Sequence, residues 1–253
     1  MKPAVTLVLL ILTLLPELPA QIRLDPAGFK MGEKDLRTLF EETLRTFPKS
    51  KTQKDPPIFV SRHPDGPIVL YERTPRGEIA IQLDSGDHYY SQIIYQFAHE
   101  LAHIRADFQP IPHENKWLEE TLCETASLFA LRQLARQWEK KPPNKHLKNY
   151  RKHLTTYADR VIKSRNPLTP KTAPAFYQKH RETLRKSATE RALNGAFANL
   201  ILPLLEKNPQ HWQTLAHFPR QKDATLAQHF TAWRQASPKK HHPFLKEMES
   251  LFL

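Results

Sequence analysis

The chain has 253 residues, of which 40% are hydrophobic, so it holds enough apolar material for one sizeable packed domain or two small ones. It contains a single cysteine, Cys123, which excludes a disulfide framework within the chain. Its formal net charge is +12, and its six glycines form no phosphate-cradling loop. The composition therefore gives no support to nucleotide binding.

The first twenty residues differ in character from the rest of the chain. Lys2 precedes an apolar run over residues 5–15, and the Leu-Pro-Ala at 18–20 ends in a small residue suited to cleavage. The apolar run is shorter than the ~20 residues that span a bilayer. The sequence predicts a signal peptide over 1–20, no transmembrane span after its cleavage, and a secreted or periplasmic location.

Helix and strand patterns alternate early in the mature chain. Apolar residues recur at helical spacing over 33–46, which predicts a helix that ends before Pro48. Three β-like runs follow, at 57–61, 68–73 and 78–83, and turns rich in Pro, Gly and Asp separate them. Short consecutive strands joined by such turns favour an antiparallel meander.

Helical periodicity then continues to the end of the chain. The predicted helices, separated by Pro-bearing turns, cover 90–107, 115–138, 146–164, 174–207, 225–236 and 244–253. The predicted fold class is α+β, mainly α. A core over 21–140 carries a small antiparallel or mixed sheet, and a basic helical region over 141–253 completes a cleft.

The motif His99-Glu100-Leu101-Ala102-His103 combines a metal-ligand spacing with an acid-base group. Residues four apart on a helix lie one above the other, so His99 and His103 direct two imidazoles at one ion. Glu100 is rotated by about 100° from His99 and reaches a water on that ion without binding the ion itself. This arrangement is typical of metal-assisted hydrolysis, and it requires a third ligand.

Zinc in a catalytic site usually takes three protein ligands and leaves one position for water. Asp107 continues the four-residue series, but it lies eight residues from His99, about 12 Å along a helix, which excludes a shared ion. Pro110 and Pro112 then reverse the chain, and the helix that returns offers three carboxylates. These are Glu119, Glu120 and Glu124.

The segments His-Glu-Leu-Ala-His at 99–103 and Trp-Leu-Glu-Glu-Thr-Leu at 117–122 resemble the gluzincin metallopeptidases, which include thermolysin-like enzymes and zinc aminopeptidases. The resemblance covers about residues 78–130. It implies a zincin-like fold, a Zn²⁺ cofactor and a peptide or protein substrate. It also implies that Glu120 is the third zinc ligand, that Glu119 is variable, and that Glu124 steadies a ligating histidine. Glu124 remains an alternative ligand if the second helix is rotated.

In this interpretation Glu100 is the general base, and the strand at 78–83 is the edge along which a peptide lies. Gluzincins add a Tyr or His donor from a later helix to stabilise the oxyanion. Tyr177 is the favoured candidate here. The competing candidates are Tyr150, His153, Tyr157 and His180. Cys123 has no sequence cue for a thiolate partner and is expected to be a buried structural thiol.

The positive charge is concentrated over residues 139–190, where fourteen Lys or Arg stand against four Asp or Glu. This block is interpreted either as a solvated helical surface or as a surface that docks on anionic envelope components. Nucleic acid is not expected as a partner, because no aromatic stacking residues are interleaved in a recognisable module. The alternative function is thus a catalytically weak zincin-fold binding protein, although a binding role has no use for Glu100.

Overall fold

The computed structural model describes residues 22–48, 55–85, 87, 89–107 and 109–253. The signal-peptide prediction for 1–20 lies outside the described residues. With 58% helix and 9% strand, the structure confirms the α+β, mainly α, class. None of the helices in the described part of the chain is long and apolar enough to cross a membrane.

The described residues contain four strands and eight α-helices. In chain order they are β1 (Ile22–Leu24), α1 (Glu33–Thr46), β2 (Ile58–Arg62), β3 (Ile68–Arg73), β4 (Ile79–Leu83), α2 (Tyr90–Arg105), α3 (Lys116–Lys140), α4 (Arg151–Lys163), α5 (Ala173–Lys186), α6 (Arg191–Lys207), α7 (Leu226–Ala236) and α8 (His242–Glu249). Two 3₁₀ segments, Pro209–His217 and Lys239–His241, flank α7.

Most predicted helices are present with bounds shifted by a few residues, but the helix expected over 174–207 is two helices, α5 and α6. Ser187 leaves the helical region, with φ −135° and ψ 102°. The side-chain amide of Asn194 donates a hydrogen bond of 2.7 Å to the carbonyl of Ala188, which holds the connecting turn against α6. Ser and Thr in this turn also favour local backbone hydrogen bonds over helix continuation.

The sheet is mixed, with strand order β1-β2-β4-β3, which confirms the mixed alternative of the predicted sheet, although the three predicted strands do not form an antiparallel meander. β1, which was not predicted, pairs parallel to β2; β2 pairs parallel to β4; only β3 and β4 are antiparallel. The loop from β2 to β3 crosses the end of β4 at Gly66. A Cβ at Gly66 would lie 2.9 Å from the carbonyl oxygen of Gln82 and the amide nitrogen of Asp84, so only glycine permits this crossing.

The crossing places β3 at one edge of the described sheet and β4 inside it. The prediction that 78–83 forms the substrate edge is therefore wrong, because β4 pairs on both sides. The open edge beside the helices belongs to β3.

A continuous hydrophobic core joins the sheet, α2, α3 and the C-terminal helices. Phe40 on α1 packs on Phe97 of α2 with ring centroids 4.6 Å apart. At the opposite end, Trp117 in the first turn of α3 packs edge-on against Phe252 at 5.4 Å. The first contact anchors α2 and the second anchors the start of α3, and the two helices pack directly against each other.

Candidate metal centre

Helices α2 and α3 bring His99, His103 and Glu120 together. One carboxylate oxygen, Oε2 of Glu120, lies 3.4 Å from Nε2 of His99 and 3.5 Å from Nε2 of His103. Two ligands at 2.0–2.1 Å from a tetrahedral ion lie about 3.4 Å apart, so both distances match zinc ligation. They are longer than the usual 2.7–3.2 Å of an N–H···O hydrogen bond.

The local sequence explains why α2 presents its histidines in this direction. Ile93, Ile94, Phe97 and Leu101 are fully buried and anchor one stripe of the helix in the core. The histidines lie on the flank of that stripe, as the spacing predicted. Asp107 follows the helix in the left-handed conformation, with φ 58°, and is exposed, away from the imidazoles.

Each imidazole has a carboxylate at its second ring nitrogen. Oε1 of Glu119 lies 2.8 Å from Nδ1 of His103, and Oε1 of Glu124 lies 3.7 Å from Nδ1 of His99. A carboxylate at Nδ1 favours the tautomer in which Nε2 is free to bind a metal. The resemblance placed Glu119 at a variable position, but this buried side chain has a specific partner. Because a ligating histidine usually has a hydrogen-bond partner at its second ring nitrogen, the sequence could have identified Glu119 as a partner of one of the two histidines.

Glu124 is held from behind by residues that the sequence analysis missed. Its carboxylate accepts hydrogen bonds from the Arg165 guanidinium and the Tyr95 hydroxyl, and Arg165 also donates to Tyr95 Oη at 2.9 Å. Arg165 reaches this position across α6 at Gly195, where a Cβ would lie 2.6 Å from Arg165 Nε. Arg165 lies 41 residues beyond Glu124, in the basic block over residues 139–190, and no local sequence pattern distinguishes it from the other cations of that block.

Two neighbouring carboxylates have pKa values shifted in opposite directions. Burial raises the pKa of Glu100, although His99 and His103 partly oppose this shift. Burial also disfavours charge on Glu120, but the adjacent imidazoles of His103 and His99 hold its pKa well below the ordinary value. The difference keeps Glu120 ionised, as a metal ligand must be, and lets Glu100 accept a proton more readily.

The centre opens into a cavity of about 800 Å³, here called the cleft. One face of α2 forms its floor, with Gln92, Gln96, His99, Glu100 and His103. The remaining walls come from β3, from α3 and from the turns before α5 and α6, and they include Ile68, Tyr71, Lys116, Glu120, Arg165 and Arg191. Glu100 and Glu120 thus share one accessible cavity.

Cys123 offers a competing third ligand. A ligand atom from each of His99, His103 and Cys123 falls within 4.8 Å of the other two. The thiol is buried, as the sequence predicted, and burial raises its pKa to about 12. Cys123 is not among the residues that line the cleft, whereas Glu120 is. The Glu120 set is therefore the one that would leave a metal accessible to a substrate.

The structure does not bring Tyr177 to the histidines. Tyr177 is buried in an aromatic cluster, 5.5 Å from the Trp117 ring and 5.8 Å from the Phe252 ring, and it does not line the cleft. Of the competing oxyanion donors, only Tyr157 lines the cleft. The others lie elsewhere: His180 packs on Phe176, and Tyr150 and His153 line a neighbouring cavity.

Comparison with protein families, with curated proteins and with solved structures found no match to this chain. The interpretation of the centre therefore rests on its own residues and their geometry.

Proposed function

We propose that this protein is an exported zinc-dependent metallopeptidase that hydrolyses peptide bonds in the cleft. The observation that carries the proposal is the convergence of His99 Nε2 and His103 Nε2 on Glu120 Oε2, at 3.4 and 3.5 Å. Two imidazoles and one carboxylate are a donor set that suits catalytic zinc. The signal-peptide pattern of residues 1–20 supports a secreted or periplasmic location.

In the proposed mechanism, separate residues bind the metal, transfer the proton and orient the ligands. Zinc held by His99, His103 and Glu120 would polarise the scissile carbonyl and make a water nucleophilic at neutral pH. Glu100 takes the proton of the attacking water and delivers it to the leaving nitrogen. Glu119 and Glu124 keep the two imidazoles oriented from their Nδ1 sides.

The position of β3 supports an extended peptide as the substrate. Ile68 and Tyr71 on this edge strand line the cleft, and each side chain is 45% exposed. An open strand edge offers backbone hydrogen bonds to a peptide, while alternate side chains contact the walls. Lys116 on α3 donates a hydrogen bond of 3.3 Å to Tyr71 Oη, which connects the two walls at one end of the cleft.

The deciding experiment is digestion of a diverse peptide pool by the purified chain, with and without a chelator. We expect cleavage that the chelator abolishes and that added Zn²⁺ restores. Chelator-resistant cleavage, or no cleavage by protein that retains zinc, would contradict the proposal.

A metal-retaining but inactive protein would favour the alternative, a catalytically weak zincin-fold binding protein. The observation that favours this alternative is the set of exposed cations on α4 and α5. They include Lys152, Arg160, Lys163, Lys179, Arg185 and Lys186. Such a surface would bind anionic envelope components in a salt-dependent manner.

A further inference from the structure

A second cavity, of about 330 Å³, lies beside the cleft between the start of α2 and one face of α4. We call it the tyrosine recess, because the rings of Tyr89, Tyr150 and Tyr157 line it. Its other lining residues are Ser91, Gln92, His153, Thr156 and Arg160. On α4, positions 150, 153, 157 and 160 recur at helical spacing, so one face of this helix supplies most of the wall.

The walls of the tyrosine recess are held by specific contacts. Tyr150 Oη accepts a hydrogen bond of 3.3 Å from the amide of Ser91, and its ring packs 4.9 Å from that of Tyr90. The guanidinium of Arg160 lies 4.9 Å from the centroid of the Tyr157 ring. Tyr157 in turn packs edge-on against Tyr95 at 5.9 Å. Contacts with neighbouring residues thus hold the rings of Tyr150 and Tyr157 in the wall of the tyrosine recess.

The tyrosine recess adjoins the cleft, because Gln92 and Tyr157 line both cavities. Gln92 precedes His99 by seven residues, which is about 10 Å along a helix at 1.5 Å per residue. An extended peptide advances about 3.3 Å per residue. A substrate lying along α2 would therefore place the side chain of its third residue from the scissile bond at the tyrosine recess.

We propose that the tyrosine recess is a specificity subsite that binds a large apolar side chain of the substrate, about three residues from the bond that is cut. This inference rests on the proposed peptidase function and adds to it a preferred side chain and a minimum length. Tyrosine rings bury much of an apolar side chain and add favourable ring contacts. Cleavage should accordingly require a peptide that extends at least three residues toward the start of α2.

The test compares two neighbouring threonines of α4. Thr156→Trp would fill the tyrosine recess, whereas Thr155→Trp is the matched control, because Thr155 is exposed on the same helix and does not line the cavity. The substrates are fluorogenic peptides that carry Phe or Gly at the third residue on either side of the scissile bond. For the wild type and the control we expect kcat/KM to favour Phe by about tenfold or more on one side, the range expected for burying one such side chain. In Thr156→Trp this preference should fall to near unity.

A binding experiment separates failure of the subsite from failure of the proposed function. Anisotropy of the same labelled peptides is measured on zinc-loaded protein that carries Glu100→Gln, with and without Thr156→Trp. Tighter binding of the Phe peptide that Thr156→Trp removes would support the subsite even if no peptide is cleaved. Equal binding of the Phe and Gly peptides, or a Phe preference that survives Thr156→Trp, would overturn it.

Discussion

Two pairs of histidines show how differently one residue type is used in this fold. At the metal centre, each of His99 and His103 has carboxylates near both ring nitrogens. In the pair His113 and His229, the rings stack with centroids 6.1 Å apart, and both nitrogens of His229 lack a hydrogen-bond partner among the described residues.

The partners decide the charge that each pair can carry. Despite the opposing effect of burial, the neighbouring carboxylates raise the pKa of His99. Burial lowers the pKa of His229 to about 3, and His113 adds to this shift. His99 is therefore surrounded by groups that stabilise a positive charge, whereas burial favours the neutral form of both His113 and His229. The contrast indicates that the carboxylates, rather than the histidines alone, distinguish the candidate metal centre.

The largest difference in zinc content is expected between two variants that each remove one imidazole, one from each pair. We expect His103→Ala to lose zinc and with it all hydrolysis, because two ligands remain of three. His229→Leu, the matched change in the other pair, should retain stoichiometric zinc. Metal analysis of both purified variants checks this difference. Retention of zinc by His103→Ala, or loss of zinc by His229→Leu, would contradict the assignment of the metal site to the first pair alone.

Glu100→Gln should retain zinc and lower kcat by about 10²–10⁴-fold, since it removes the general base but no ligand. Steady-state hydrolysis of a cleaved peptide, together with zinc content, measures both quantities. Glu182→Gln is the control, because this carboxylate is exposed on α5 and does not line the cleft. Unchanged turnover in Glu100→Gln would show that another group accepts the proton.

Glu119→Gln should weaken zinc affinity by about 10–100-fold, the usual cost of losing a partner behind a ligating histidine. Competition with a chromophoric chelator gives the affinity. Cys123→Ser serves as the comparison and should leave zinc affinity close to that of the wild type. If Cys123→Ser loses zinc while Glu120→Ala keeps it, the thiol set is the true ligand set.

The smallest effect concerns acid stability. The pKa of His229 is about 3 in the folded chain and about 6.5 when unfolded, so between these values the unfolded state binds more protons. The neutral ring thus contributes its full stability above pH 6.5, and that contribution decreases as the pH falls toward 3. At pH 5 the loss is about 2 kcal/mol.

His229→Leu should remove this dependence, because leucine does not titrate. Urea unfolding of both proteins at pH 7.5 and pH 5 measures it, and the difference between the two proteins cancels any contribution from zinc release. Identical pH dependence in the two proteins would mean that His229 is not buried in its neutral form.

The features that the sequence predicted well depend on local spacing. The bounds of α1 and β3 follow from apolar periodicity and turn residues. Two helix patterns and a Pro-rich reversal predicted that carboxylates of α3 approach the histidines, and the gluzincin resemblance singled out Glu120 among the three candidates. The missed features depend on contacts between distant segments. The order of the sheet depends on the close approach of Gly66 to β4, and Arg165 reaches Glu124 from a region in which it is one cation among many.

The route of Arg165 past Gly195 has a consequence for how the protein matures. The proposed zinc ligands and general base all lie before residue 121, yet the support behind Glu124 depends on the packing of α6 against Arg165. A nascent chain that has emerged only as far as α3 already carries the ligands but lacks this support. The centre should therefore acquire its full metal affinity late, when the C-terminal helices have docked, and binding of zinc should in turn stabilise that docking by linkage.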